Sequence, residues 1–462
     1  MNNETICALA TANGIGALGI IRVSGDNALP IVQKCFPAKK LEKQKSHTIH
    51  YGYFMDGEEA IDEIMLSIFL APKSFTTENS VEIAFHGSPH IGKRILETLI
   101  KNGARMAKAG EFTLRAFING RIDLSQAEAI ADVIASENEA SRKVAINQLK
   151  GGITNEISLL RTDLLNFVSL IELELDFAEE DVEFADRTAL SGLLDKIELK
   201  LNSLIESFQY GNAIKNGTAV AIIGKPNAGK STLLNALLKE ERAIVSNIAG
   251  TTRDTIEEVL HIKGHAFRLI DTAGLRETAD EIEAIGVKKA KEKVENAEVL
   301  IYLIDTKSKD LDEDFRLIQE LERDNLHIVI CLTKADLHEG EFDSSNLFTN
   351  LAATLKNEFS FISISAKANW NMEELKDELF AYVEELKSSE NNVIITNQRH
   401  FEALQKSLDA VNRVKEAISS QISTELLAYE LRNALEHLGE ISGEVTNDEV
   451  LGNIFSKFCI GK

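Results

Sequence analysis

The chain has 462 residues, enough for two to four domains. Its formal charge is −23, from 73 acidic against 50 basic residues, which excludes broad electrostatic capture of nucleic acid by this chain alone. Four cysteines (Cys7, Cys35, Cys331 and Cys459) lie too far apart for a disulfide framework or a zinc spacing, and ten scattered histidines form no ligand cluster. The first residues, Met-Asn-Asn-Glu-Thr, carry no basic region with an apolar core behind it. No apolar run approaches the ~20 residues that cross a bilayer. The expectation is a soluble cytoplasmic protein with no membrane segment.

Taken in order, residues 1–118 alternate short strand-like and helical pieces. Strands are expected at residues 5–11, 16–23, 65–70 and 81–85, and helices at 26–36 and 89–99. This reads as an α+β domain. Residues 119–214 change to helical patterns. Ser125 and Glu128 have the spacing of a capping box, and the helix they open is expected to run to Gly151-Gly152. Two further apolar stripes follow, through Ile153, Ile157, Leu160 and Leu164 and through Leu190, Leu194, Ile197 and Leu201. The acidic run at 176–186 reads as a solvated loop rather than a cation site. Residues 215–386 alternate strand and helix in the manner of a doubly wound α/β domain. Strands are expected at 219–223, 259–262, 267–270, 299–304, 328–332 and 361–364. Residues 387–462 are helical again. Amphipathic helices on both sides of the α/β domain need partners for their apolar faces. The economical architecture is therefore one helical domain interrupted by the inserted domain, and the alternative is two separate small bundles.

The chemistry is written most clearly at Gly224-Lys225-Pro226-Asn227-Ala228-Gly229-Lys230-Ser231, which fits G-x-x-x-x-G-K-[ST] between a strand and a helix. Backbone N–H groups of such a loop cradle phosphate, Lys230 reaches the β/γ-phosphates and the Ser231 hydroxyl sits on Mg²⁺. Thr251-Thr252 follows, where a hydroxyl can complete the Mg²⁺ shell. Asp271-Thr272-Ala273-Gly274 then closes a strand, with its aspartate toward Mg²⁺ and the Gly274 N–H toward the γ-phosphate. Thr333-Lys334-Ala335-Asp336 corresponds to the guanine-reading Asn-Lys-x-Asp, with threonine for asparagine. The aspartate that pairs with guanine is kept, so the departure bears on affinity rather than base identity. Ser365-Ala366-Lys367 fits the loop that packs against the base. Leu275 stands where Ras-like switches carry a water-orienting glutamine. A carboxylate among Glu277, Asp280, Glu281 and Glu283 could take that task, or the segment is simply a solvated switch loop. No arginine is placed as a finger, and a monovalent cation caged by Asn227 and the backbone of residues 246–251 could supply the charge.

These motifs resemble one family over nearly the whole chain, the MnmE (TrmE) tRNA-modification GTPases. The likeness is carried by Gly-x-Pro-Asn-x-Gly-Lys-Ser, Ile248-Ala249-Gly250-Thr251-Thr252-Arg253-Asp254 and Asp271-Thr272-Ala273-Gly274-Leu275-Arg276. Thr5-Ile6-Cys7-Ala8, Gly19 to Gly25, Asp123 to Ala129 and the terminal Cys459-Ile460-Gly461-Lys462 add to it. The resemblance implies a homodimer with an N-terminal folate-binding domain, a helical domain and an inserted G domain. It implies K⁺-stimulated GTP hydrolysis and a partner, an MnmG-type flavoprotein that carries FAD, in a heterotetramer. Together the two add a carboxymethylaminomethyl or aminomethyl group to C5 of wobble uridine 34 in certain tRNAs, with carbon from a 5-formyl- or 5,10-methylene-tetrahydrofolate.

By position, the resemblance puts K⁺ on Asn227, Ser246, Ile248 and Thr251, and Mg²⁺ on Ser231 and Thr252. GTP contacts fall on Asn227, Ala228, Gly229, Lys230, Ser231 and Thr232, and on Ser246, Asn247, Ile248, Ala249, Gly250, Thr251 and Thr252. They continue on Asp271, Thr272, Ala273, Gly274, Lys334, Asp336, Ser365, Ala366 and Lys367. Glu283 aligns with the water-orienting glutamate, and Cys459 with a cysteine needed for modification. Arg22, Glu82, Arg121 and Lys462 align with folate contacts, and three cations suit an anionic polyglutamated folate. A regulatory GTPase of the Era or Der type would share the nucleotide motifs but not the N-terminal domain or the terminal cysteine. A dynamin-like scaffold would require membrane-binding segments.

Overall fold

The computed structural model describes residues 4–176, 187–241, 258–270, 291–307, 311–337, 349, 351–353, 355–387, 393–420, 423–446, 448–456, 458 and 460–461. These fall into two compact units. One draws on residues 1–134, 146–186 and 417–462, and the other on residues 135–145 and 187–416.

The first unit is built on β1 (Ile6–Leu9), β2 (Leu18–Ser24), β3 (Thr48–Asp56), β4 (Glu59–Phe69), β5 (Ser80–His86) and β6 (Arg105–Met106). They form one sheet in the order β3-β4-β5-β2-β1-β6, antiparallel except for β1 with β6. Alternation along β2 and β5 decides what each face does. Ile21, Val23, Val81, Ile83 and Phe85 join the core beneath the helices Ala28–Cys35 and Pro89–Lys101. Arg22 and Glu82, directly opposite in register, point to the other face. That face is covered by a small cluster of Ile6, Ala8, Ala107 and Phe112, with Phe75 packed against it.

Among the described residues, five more helices belong to this unit. Glu111–Ile118 and Leu124–Ala135 follow the sheet, and Gly152–Asp176 packs along Thr424–Ser442. Asp448–Ser456 lies on Glu111–Ile118, with Phe455 and Phe458 buried against Leu124 and Ala127.

The second unit is a doubly wound sheet of β7 (Thr218–Gly224), β8 (Glu258–Ile262), β9 (His265–Leu269), β10 (Val299–Asp305), β11 (His327–Thr333) and β12 (Phe359–Ser363). The order is β12-β11-β10-β7-β9-β8, parallel apart from the β8–β9 hairpin. Its central strands read as continuous apolar runs because both faces are buried, with one apolar cluster on each side. The helices Lys230–Glu241, Leu311–Leu321 and Met372–Glu385 flank it. The helices Arg187–Asn216 and Gln398–Ser419, which bracket the α/β segment in sequence, pack on each other here. Phe208 stacks on Phe401 at 4.4 Å, and Lys415 bridges to Asp195 at 2.6 Å and to Glu198 at 2.5 Å.

All six strands expected between residues 215 and 386 are present. Two local expectations fail. Ser125 is not the cap of its helix. Asp123 takes that place: its Oδ1 accepts from the Gln126 amide at 2.9 Å, and Gln126 Oε1 accepts the Asp123 N–H at 3.0 Å. The box is thus Asp-x-x-Gln, two residues early. Nor does that helix reach Gly151. It stops at Ala135, and a second helix, Glu139–Leu149, begins after Asn138, whose side chain accepts the Ser141 N–H at 2.8 Å.

Candidate functional site

Two groups of the expected residues are brought together, one in each unit. In the second unit, β7 runs out into the phosphate loop. The loop turns on a bond from the Ala228 N–H to the Lys225 carbonyl at 3.1 Å and enters the helix Lys230–Glu241. Asn227 at φ 66° and Gly229 at φ 99° occupy the left-handed region. Those conformations turn successive N–H groups the same way, as an anion cradle requires. Lys230 Nζ donates to the carbonyls of Gly224 at 2.6 Å and Lys225 at 2.8 Å. Burial, aided by the nearby Lys293 charge, lowers its pKa. An anion arriving in the cradle would relieve that cost. Ser231 and Thr232 are exposed at the helix start.

The Thr333–Asp336 loop is fastened to this cradle by the residue that departs from the usual pattern. Thr333 is buried, and its hydroxyl donates to the Ala228 carbonyl at 2.8 Å, with the Ile304 carbonyl at 3.3 Å. Threonine therefore does here by a hydroxyl what a side-chain amide could do, and ties the two loops together. Lys334, at φ 61°, reaches Asp305 Oδ2 at 2.5 Å, and Asp336 is exposed. The Ala335 N–H donates to the Ile364 carbonyl at 3.3 Å, which joins this loop to residues 365–367. Ser365 is buried and pairs with Trp370 by two backbone bonds, and its hydroxyl accepts the Ala368 N–H at 3.1 Å. Ala366 is half-buried and Lys367 exposed. All three loops lie past the carboxyl ends of β7, β11 and β12, where open α/β sheets take their ligands. Ser246, Asn247, Ile248, Ala249, Gly250, Thr251, Thr252, Asp271, Thr272, Ala273, Gly274 and Glu283 lie outside the described residues.

In the first unit, Arg22, Glu82 and Arg121 meet around an aromatic ring. Arg22 pairs with Glu82 Oε1 through Nε at 3.0 Å and Nη2 at 2.8 Å. Its guanidinium stands 5.2 Å from the centroid of Phe75 and 5.7 Å from that of Phe112. Arg121 lies 4.9 Å from the Phe75 centroid and donates to the Phe75 carbonyl at 2.6 Å. Two cations, one carboxylate and a half-buried aromatic face together suit a flat, hydrogen-bonding, anionic ligand. The chain end approaches the same unit: Ile460 bridges to Ala109, and Gly461 sits against the Leu9 carbonyl. Cys459 and Lys462 lie outside the described residues.

Sequence reasoning missed Phe75, Asp305 and the Thr333–Ala228 link. No local signal marks Phe75, because its meaning depends on two arginines 53 and 46 residues away in the chain. Asp305 had a signal, an acid closing an apolar strand beside the nucleotide loops.

Comparison with known proteins decides the family. A family model described as the MnmE helical domain matches residues 124–459, and one described as the GTP-binding protein TrmE N-terminus matches residues 5–121. The chain belongs to the MnmE family. A relative from Christiangramia forsetii, named tRNA modification GTPase MnmE, is 52% identical over all of this chain and 99% of its own length. Relatives of the same name from Flavobacterium johnsoniae and Bacteroides fragilis are 50% and 49% identical, each over the full length of both chains. Among solved structures, Era in complex with MgGDPNP and nucleotides 1506–1542 of 16S ribosomal RNA aligns at 25% identity and a TM-score of 0.28. It covers 42% of this chain and 66% of that one. The family assignment rests on the full-length relatives and the two family models. Among the described residues, no helix is long and apolar enough to cross a membrane.

Proposed function

We propose that this chain is a GTP hydrolase of tRNA modification. With an MnmG-type, FAD-bearing flavoprotein in a heterotetramer, it adds a carboxymethylaminomethyl or aminomethyl group to C5 of wobble uridine 34. The observation that carries the nucleotide half is the fastening of the Thr333–Asp336 loop to the phosphate loop at one end of a doubly wound sheet. Asp336 selects guanine, and Lys230 and the loop N–H groups hold the phosphates. Ser231 and Thr252 hold Mg²⁺, which neutralises phosphate charge when bound. Asn227, Ser246, Ile248 and Thr251 hold K⁺, and Glu283 orients the attacking water.

The modification half rests on Arg22, Glu82 and Arg121 around Phe75, which with Lys462 form the seat of a tetrahydrofolate derivative. Phe75 offers an apolar face to the flat ring, and the guanidinium groups attract the anionic tail. Cys459 serves the modification step. The homodimer is supported by an apolar patch on the outer strands of the first sheet. Ile49, Tyr51 and Tyr53 are 69%, 65% and 54% exposed on the edge strand β3, and Met65 stands beside Tyr51. Such a patch asks to be covered, and a second copy is the occupant that the reading supplies. Net charge of −23 leaves most tRNA contact to a more basic partner surface.

The test is GTP turnover in KCl against NaCl at equal ionic strength. A rise of at least about tenfold in KCl is expected, because a caged monovalent cation stands in for an arginine finger. Equal rates in the two salts would remove K⁺ from the account.

A further inference from the structure

The second residue of the phosphate loop, Lys225, has no part in the reading above, yet among the described residues it makes the most heavily buried ion pair around that loop. Its ammonium reaches Glu313 Oε2 at 2.7 Å and Asp314 Oδ2 at 3.2 Å, in the first turn of the helix Leu311–Leu321. The two acids differ in kind. Glu313 is open to solvent, with its side chain 63% exposed, whereas the Asp314 side chain is 2% exposed. Asp314 is held from the other side by Tyr302, a fully buried residue of β10, whose hydroxyl donates to Asp314 Oδ1 at 2.9 Å. The next residue of that strand, Leu303, lies so close to the loop that a side chain at Gly224 would come within 2.6 Å of its carbonyl.

The consequence for the loop is double fastening. Lys230 grips the carbonyls of Gly224 and Lys225, while the Lys225 side chain ties the same two peptide units to the helix and, through Asp314 and Tyr302, to β10. An exposed pair such as Lys225–Glu313 contributes little. A pair with one partner out of water behaves otherwise. Removing the cation strands a buried carboxylate with a single hydroxyl for company, which the fold can relieve only by moving the loop or the helix.

We infer that Lys225 is a positioning residue for nucleotide binding, acting through Asp314 and Tyr302 to hold the Gly224–Asn227 backbone in its anion-cradling conformation. The inference rests on the reading that this loop binds guanine nucleotide. Burial works against the Lys225 charge, but the pairing with Glu313 and Asp314 outweighs it and raises the pKa, so the ammonium stays charged at neutral pH. The conformation it fixes is the one that carries Asn227 at φ 66°. A looser loop lowers affinity for GDP and GTP alike, and release quickens more than capture slows.

The experiment is stopped-flow release of mant-GDP from the full chain. Lys225→Met keeps the stem and removes the charge, and is expected to speed release about tenfold. Lys225→Arg restores a cation within reach of Asp314 and is expected to stay within about threefold of the parent chain. Asp314→Asn should speed release to a similar degree. The double variant Lys225→Met with Asp314→Asn should be no faster than the faster single one, because both remove the same tie. Release from Lys225→Met at the parental rate, no rescue by arginine, or single effects that multiply in the double variant would each overturn the inference. Failure of the parent chain to bind mant-GDP at all would overturn the guanine-nucleotide reading beneath it, a result the variants could not mimic.

Discussion

Thr333 shows how much of a site can hang on one hydroxyl. Its donor bond to the Ala228 carbonyl is buried and spans 105 residues of sequence. Losing a buried hydrogen bond of this kind costs about 1–2 kcal/mol, and here the cost falls on the relative placement of the phosphate and base loops. Thr333→Val keeps the shape and removes the donor. It is expected to weaken GDP binding roughly tenfold in a titration, with Thr333→Ser close to the parent chain. Valine with parental affinity would mean that the link is incidental. The sequence marked this position only as a departure from asparagine, and nothing in it said which carbonyl the hydroxyl would meet. Lys225 was equally silent, since its partners lie on a helix about 90 residues away.

At the level of elements, legibility followed the apolar pattern. The central strands β7, β10 and β11 of the second sheet were readable because burial on both faces writes them as near-continuous apolar runs. β3 was not readable. It carries apolar residues on both faces, with Phe54 buried and Ile49, Tyr51 and Tyr53 outward, and Gly52 interrupts it. Glycine reads as a strand breaker, yet here it makes room: a Cβ would lie 2.9 Å from that of Ala38 and 3.0 Å from the Phe36 ring. The helix start at Asp123 was misread because two capping patterns overlap within six residues, and geometry alone chose between them.

The chain end behaves as an element too. Ile460 bridges to Ala109, and Gly461 has φ 100°, with the Leu9 carbonyl standing where a Cβ would go. Only glycine can pass there. Gly461→Ala is therefore expected to dislodge the tail and cut wobble-uridine modification at least about tenfold in a reconstituted assay, while GTP turnover stays within about twofold. Unimpaired modification would show that the tail need not dock.

For the whole molecule, the proposed function assigns the two units different halves of one activity. The second holds a nucleotide crevice whose loops are bonded to one another, and the first holds two arginines and a glutamate around Phe75. The family and the nucleotide chemistry were legible from motifs, because phosphate and guanine recognition need fixed residue types at short spacings. The arginine cluster was legible only by resemblance, because its members come from three separate strands and turns. The acidic composition, with a net charge of −23, disfavours broad electrostatic capture of tRNA by this chain.

The central claim, that hydrolysis in one unit serves nucleoside synthesis in the other, is tested most directly by mass spectrometry of tRNA nucleosides from a strain lacking this protein. The account predicts that aminomethyl-type substituents at C5 of the wobble uridine disappear and return when the intact gene is restored. Undiminished modified uridine in the deletion strain would contradict it.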